Sequence, residues 1–124
     1  PRSTLFPYTT LFRSPVGAVT ALVPFVCGMA TGLAVGFVGA SFPIVMNLMG
    51  PDPALSTVIP TVMLAYSWGF MGMILSPVHV CLIVTNEHVR TRLTHSLWGL
   101  VRPAAVVLLL TVPCVAAARW LLQP

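Results

Sequence analysis

Residues 14–51 and 53–86 form two stretches of 38 and 34 residues without a single Asp, Glu, Lys or Arg. Soluble domains do not leave runs of this length uncharged, so the pattern places the chain in lipid. Each stretch is punctuated near its middle, by GFVGASFP at residues 36–43 and by GFMGMILSP at residues 69–77. Glycine permits unwinding and proline removes an amide donor, so both segments interrupt a helix. Irregular backbone at membrane depth survives only where protein buries it or a watery cavity solvates it. A pair of Gly/Pro-broken apolar segments is therefore the sequence mark of a secondary-transport site.

Length decides how the stretches are used. As one helix the first would run about 57 Å, nearly twice the roughly 30 Å hydrocarbon core, yet it is too short for two full spans and a turn. A re-entrant helical hairpin over 16–48 is expected, with its break at residues 40–43. Residues 55–86 are expected to form a discontinuous transmembrane helix interrupted within 69–77. Gly50-Pro51-Asp52-Pro53 joins the two through strong turn chemistry. Gly28, Gly32, Gly36 and Ala40 recur every four residues and would line one face for close helix approach.

Residues 87–102 make the longest polar connection and hold Glu87, His88, Arg90, Arg92, His95 and Arg102 around Trp98. Apolar residues at helical spacing within it suit a short interfacial helix. By the positive-inside rule this loop faces the cytoplasm, and a final helix over 103–122 carries the carboxy terminus outside. The expected location is thus a cell (inner) membrane, in a multi-pass arrangement with the lipid bilayer as partner.

The first 14 residues stand apart. TLFPYTTLFRS, residues 4–14, resembles the translation of a common short-read sequencing adapter, and residues 1–14 are set aside as an artefact. Residues 15–124 are then expected to be the downstream part of a longer protein whose amino-terminal half is missing. Only 6% of the chain is charged, against about 25% in soluble domains. Outside the first 14 residues, four Arg face Asp52 and Glu87, a net of +2 with no clustered basic face for nucleic acid. Cys27, Cys81 and Cys114 lack disulfide-framework and metal-ligand spacing, so no metal site is expected. No nucleophile–base pair, phosphate loop or dinucleotide fingerprint is present, so no catalytic residue is assigned and an enzyme is not expected.

The chemistry that remains lies at the breaks. Freed amides at a half-helix amino terminus favour an anion, while freed carbonyls and hydroxyls suit a sodium ion. Candidate substrate- or ion-binding residues are Gly36, Gly39, Ser41 and Pro43 in the first stretch. In the second they are Ser67, Gly69, Gly72, Ser76, Pro77 and His79. Thr31 and the more distant Asn47 are further candidate ligands. His79 is the sole ionisable side chain well inside a stretch. Asn86 and Glu87 would line the mouth of the pathway. Alternatively, each hydroxyl simply bonds the carbonyl one turn back, and His79 bonds across helices as a neutral ring.

GMATGLAVGFVGASFP (residues 28–43) and AYSWGFMGMILSPVHVCLIVTNEHV (residues 65–89) resemble an uncharacterised prokaryotic membrane family, domain-of-unknown-function family four hundred and one. The resemblance extends over residues 15–124 and is most specific in the second segment. That family is grouped with the ion-transporter superfamily, whose members move organic acids, arsenite or sodium and protons. The resemblance implies an all-α membrane protein with two inverted repeats, each built from a hairpin and a broken helix. This chain would supply one repeat: hairpin 16–48, broken helix 55–86, last helix 103–122. It lacks the Asn-Thr pair that better-studied relatives carry at the hairpin tip, so no substrate is carried over. The function expected is ion-coupled secondary transport of an organic anion or inorganic ion by alternating access. Na+ or H+ would be the coupling ion, there is no cofactor, and a homodimer is compatible. The alternative is a stand-alone small multi-span protein acting as an oligomeric or assembly subunit.

Overall fold

The computed structural model describes residues 15–122, and all the secondary structure among them is helical. Five helices follow in order: α1 Pro15–Thr31, α2 Ala34–Met49, α3 Leu55–Ile74, α4 Val80–Val89 and α5 Leu93–Leu122. α3 is the hub, packed most extensively on α1 and also on α5 and α2; α1 touches α2, and α4 meets α5. The segment set aside as an adapter, residues 1–14, lies outside the described residues.

The first stretch does not break where its proline sits. α2 runs straight through residues 40–43 with Pro43 inside it, and the interruption falls instead at Gly32 and Leu33. Gly32 adopts φ +62°, a left-handed conformation that glycine takes at no steric cost, and its amide donates to the Gly28 carbonyl at 2.9 Å. Leu33 is extended and opens α2. Pro43 deletes one hydrogen bond, but a helix in apolar surroundings has no water to receive further freed groups and therefore continues. The small-residue face is divided accordingly: Gly28 belongs to α1, Gly32 to the turn, and Gly36 and Ala40 to α2.

The second stretch leaves the helix at Leu75 and re-enters it at Val80. Gly69 and Gly72 lie inside α3, so the interruption is confined to residues 75–79, a stretch that overlaps the last three residues of the expected window and runs two beyond it. Pro77 pushes Ser76 out of helical geometry, and the Ser76 and His79 amides close tight turns onto the Met73 and Ser76 carbonyls.

The last helix begins ten residues earlier than expected. α5 starts at Leu93 and contains both Pro103 and Pro113, so the polar loop expected over 87–102 shrinks to Arg90–Arg92. Of the apolar series that suggested a separate interfacial helix, Val89 ends α4, while Leu93, Leu97, Leu100 and Val101 lie in the first three turns of α5 itself.

Glycines set the packing distances. A Cβ on Gly28 would fall against the Gly69 carbonyl oxygen, and one on Gly72 against the Phe25 carbonyl oxygen. α1 and α3 therefore cross backbone to backbone, each supplying small residues to the other. Phe37 of α2, fully buried, lies over Gly69 and meets Tyr66 with ring centroids 5.7 Å apart. Ala21, Leu64 and Val115 join α1, α3 and α5 in a common core against which Trp68 packs.

Two helices are long and apolar enough to cross a membrane by length and composition, α3 and α5. A core helix of a soluble protein would be mostly buried, but only 6% of the apolar window of α5 is buried. Leu109, at 72% exposure, and Leu110, at 58%, face outward from its middle. α5 packs on α3 along the face of Ala104, Thr111 and Val115 and leaves the rest of its apolar surface outward, a distribution that suits an apolar solvent.

Candidate functional site

Residues far apart in sequence bring the two interruptions together. The Ser76 hydroxyl, fully buried, donates to the Met29 carbonyl at 2.6 Å and accepts from the Val78 amide at 3.2 Å. His79 Nδ1 lies 2.9 Å from the Gly32 carbonyl. A carbonyl can only accept, so Nδ1 carries the proton; in the neutral ring Nε2 is then left as an acceptor. Gly32 also rests against the Val78 peptide, where an added Cβ would be 2.9 Å from the carbonyl oxygen. Ser76 and His79 thus tie the α3–α4 break to the carboxy-terminal turn of α1.

The junction has a definite electrostatic form. The Met29 and Gly32 carbonyls belong to the negative end of α1. His79 caps the amino terminus of α4, its carbonyl accepting from the Leu82 and Ile83 amides. The first amides of α4, those of Val80 and Cys81, have no acceptor further back in the helix. Opposite helix poles therefore meet at one histidine with no carboxylate, lysine or arginine in residues 53–86. Such a junction can coordinate a cation through carbonyls and hydroxyls, or an anion through amides. His79 also borders a groove of about 240 Å³ together with Ile74, Cys81, Leu82, Thr85 and Leu100.

The candidate residues divide between this junction and other roles. Ser76, Pro77 and His79 form it, and Gly36 stands beside it, its Cα facing the Thr31 side chain across the α1–α2 turn. Thr31 donates to the Cys27 carbonyl at 2.8 Å and approaches the Leu33 carbonyl at 3.3 Å. Gly69 and Gly72 are buried in the helix crossing. Ser41 is fully buried and donates to the Phe37 carbonyl at 2.6 Å, bonding one turn back within its own helix. Gly39, Pro43 and Asn47 are exposed on α2, and Ser67 is half-buried on α3.

At the expected pathway mouth, Asn86 is buried and does structural duty. Its Nδ2 donates to the Leu82 carbonyl at 2.8 Å, and its Oδ1 accepts from the hydroxyls of Thr91, at 2.6 Å, and Ser96. It pins the α4–α5 elbow. Glu87 is exposed beside it.

Sequence reasoning missed the Met29 and Gly32 carbonyls. The signal available for Gly32 was a glycine placed just beyond a helical turn, the usual helix stop. Nothing local marks Met29, because any residue there would offer the same carbonyl. Among the described residues no group of three or more His, Cys, Asp or Glu is assembled to hold a metal ion.

A family model described as protein of unknown function (DUF401) matches residues 8–117, nearly the whole chain. The match begins inside the segment set aside on sequence grounds. No curated protein and no solved structure matches the chain.

Proposed function

We propose that this chain, which belongs to the DUF401 family, is a membrane-embedded part of an ion-coupled secondary transporter. The observation that carries the reading is the junction of the two helix interruptions through Ser76–Met29 and His79–Gly32. Broken helices whose ends meet inside an apolar body create partial charges of both signs without formal charge. A site of that kind can hold a small ion and its coupling ion weakly enough to release both. Alternating access would then part or re-form the contact between α1 and the α3–α4 break. The exposed apolar surface of α5 supports placement in the bilayer, and the basic elbow at residues 90–92 is assigned to the cytoplasmic side. The resemblance to the ion-transporter superfamily points to organic anions or inorganic ions as substrates, with Na+ or H+ as coupling ion. The reading assigns no covalent step to the chain.

The test is flux through the full-length transporter that contains this chain, in proteoliposomes, following sodium-22 and an internal pH-sensitive dye. A panel of carboxylates and inorganic oxyanions is added outside. Substrate-dependent sodium or proton movement is expected, with His79→Gln and Ser76→Ala each reducing it at least tenfold while incorporation stays intact. Gly72→Leu would be uninformative, because its side chain would collide with the Phe25 carbonyl and disturb packing. The absence of any coupled flux across the panel, or full flux in both variants, would overturn the assignment. A stable oligomer of this chain without flux would favour the assembly-subunit alternative.

A further inference from the structure

We propose that the α4–α5 elbow is a docking surface for anionic phospholipid headgroups, formed by Arg90, Arg92 and Arg102 around Trp98. The proposal rests on the membrane reading of α5 but not on transport.

Three of the four arginines among the described residues are gathered here, all exposed. Glu87 is the sole acidic residue in the elbow, the first turn of α5 contains none, and His88 and His95 add no negative charge. Among the described residues, three guanidinium groups against one carboxylate leave the elbow with a net charge of +2. It is also a defined surface. Arg90 ends α4 in a left-handed conformation, φ 56° and ψ 37°, with its amide on the Asn86 and Glu87 carbonyls. The Arg92 carbonyl accepts from the His95 and Ser96 amides and so opens α5. The buried Asn86 side chain ties the two ends of the elbow together.

Helix length sets the depth. The 30 residues of α5 extend about 45 Å against a hydrocarbon core of about 30 Å, so roughly ten residues stand in the headgroup region. If those are the polar first turns, Trp98, 76% exposed, lies at the interface where indoles concentrate. At 3.6 residues per turn, His95, Trp98 and Arg102 fall within an arc of roughly 60°. Thr94, Leu97, Trp98 and Val101 line an apolar groove of about 170 Å³ beside them. An anionic lipid matches each part: its phosphate pairs with guanidinium groups, and the top of an acyl chain enters the groove. A zwitterionic lipid brings its own ammonium and gains less.

The experiment reconstitutes the full chain in phosphatidylcholine vesicles with trace spin-labelled phosphatidylglycerol or spin-labelled phosphatidylcholine. The motionally restricted fraction of each label is measured. Phosphatidylglycerol is expected to be held over phosphatidylcholine by at least about threefold. The preference should fall to near parity in the Arg90→Gln/Arg92→Gln/Arg102→Gln variant and survive Arg119→Gln, near the opposite end of α5. Raising NaCl should erase it in the unaltered protein, a measurement that does not depend on how the triple variant folds. Equal restriction of the two lipids, or a preference unmoved by salt or by the triple substitution, would overturn the proposal alone. A chain that stays out of the vesicles would overturn the membrane reading and the proposal with it.

Discussion

Replacing Gly28 by alanine tests the α1–α3 crossing on which the junction depends. Two effects oppose each other. Alanine is favoured over glycine inside a helix by about 0.8–1.0 kcal/mol. Against this, the new Cβ would overlap the Gly69 carbonyl oxygen and stand 2.9 Å from the Met73 amide nitrogen. Both are backbone atoms of α3, so no side chain can turn aside and the helices themselves must separate. Overpacking of this kind costs about 1–3 kcal/mol. Separation also loosens the reciprocal contact of Gly72 with the Phe25 carbonyl, so the net expectation is a loss of about 1–2 kcal/mol. Gly39→Ala is the matched control. Gly39 is also inside a helix, but nothing lies within 4 Å of its added Cβ, so only the propensity gain of about 0.5–1 kcal/mol remains. The assay is reversible unfolding in mixed micelles followed by far-ultraviolet circular dichroism. Opposite shifts are expected from the same chemical change. Stabilisation by Gly28→Ala, or equal shifts of one sign, would refute the close crossing.

Ser76→Ala removes a buried donor to the Met29 carbonyl and the acceptor of the Val78 amide, with an expected loss of about 1–2 kcal/mol. Hydrogen exchange at Val78 should accelerate; unaltered exchange and stability would show that the bond contributes nothing. Asn86→Ala should loosen the α4–α5 elbow by about 2 kcal/mol, because three side-chain hydrogen bonds end on that residue. Trypsin cleavage after Arg90 and Arg92 in micelles should quicken, and a rate equal to that of the unaltered protein would count against the staple.

Much of the helical layout is legible from local chemistry. Uncharged length bounds the apolar helices, Gly50-Pro51-Asp52-Pro53 occupies a non-helical connection, and a serine before Pro77 marks where α3 must end. The first interruption is misjudged because Pro43 and Gly32 compete for it. A proline deletes one hydrogen bond in a helix that cannot find water, whereas glycine in a left-handed conformation actively ends one. The start of α5 is misjudged for a related reason, since Pro103 resembles a first-turn proline but lies well inside the helix. At the candidate site, Ser76 and His79 announce themselves by polarity in an apolar run. Their acceptors do not. Both bonds span 47 residues and end on backbone carbonyls, which no side-chain pattern encodes.

The central claim is that the two interruptions meet, and the His79–Gly32 contact is its most direct expression. Solid-state NMR of the chain in bilayers, with carbonyl-13C glycine and ring-15N histidine, measures it through dipolar dephasing. The account predicts a histidine signal protonated at Nδ1 and coupled to the Gly32 carbonyl, consistent with the 2.9 Å nitrogen–oxygen separation. That coupling should vanish in His79→Gln. A His79 ring protonated only at Nε2, or one uncoupled from any glycine carbonyl, would show that the breaks do not meet and would remove the basis for the transport site.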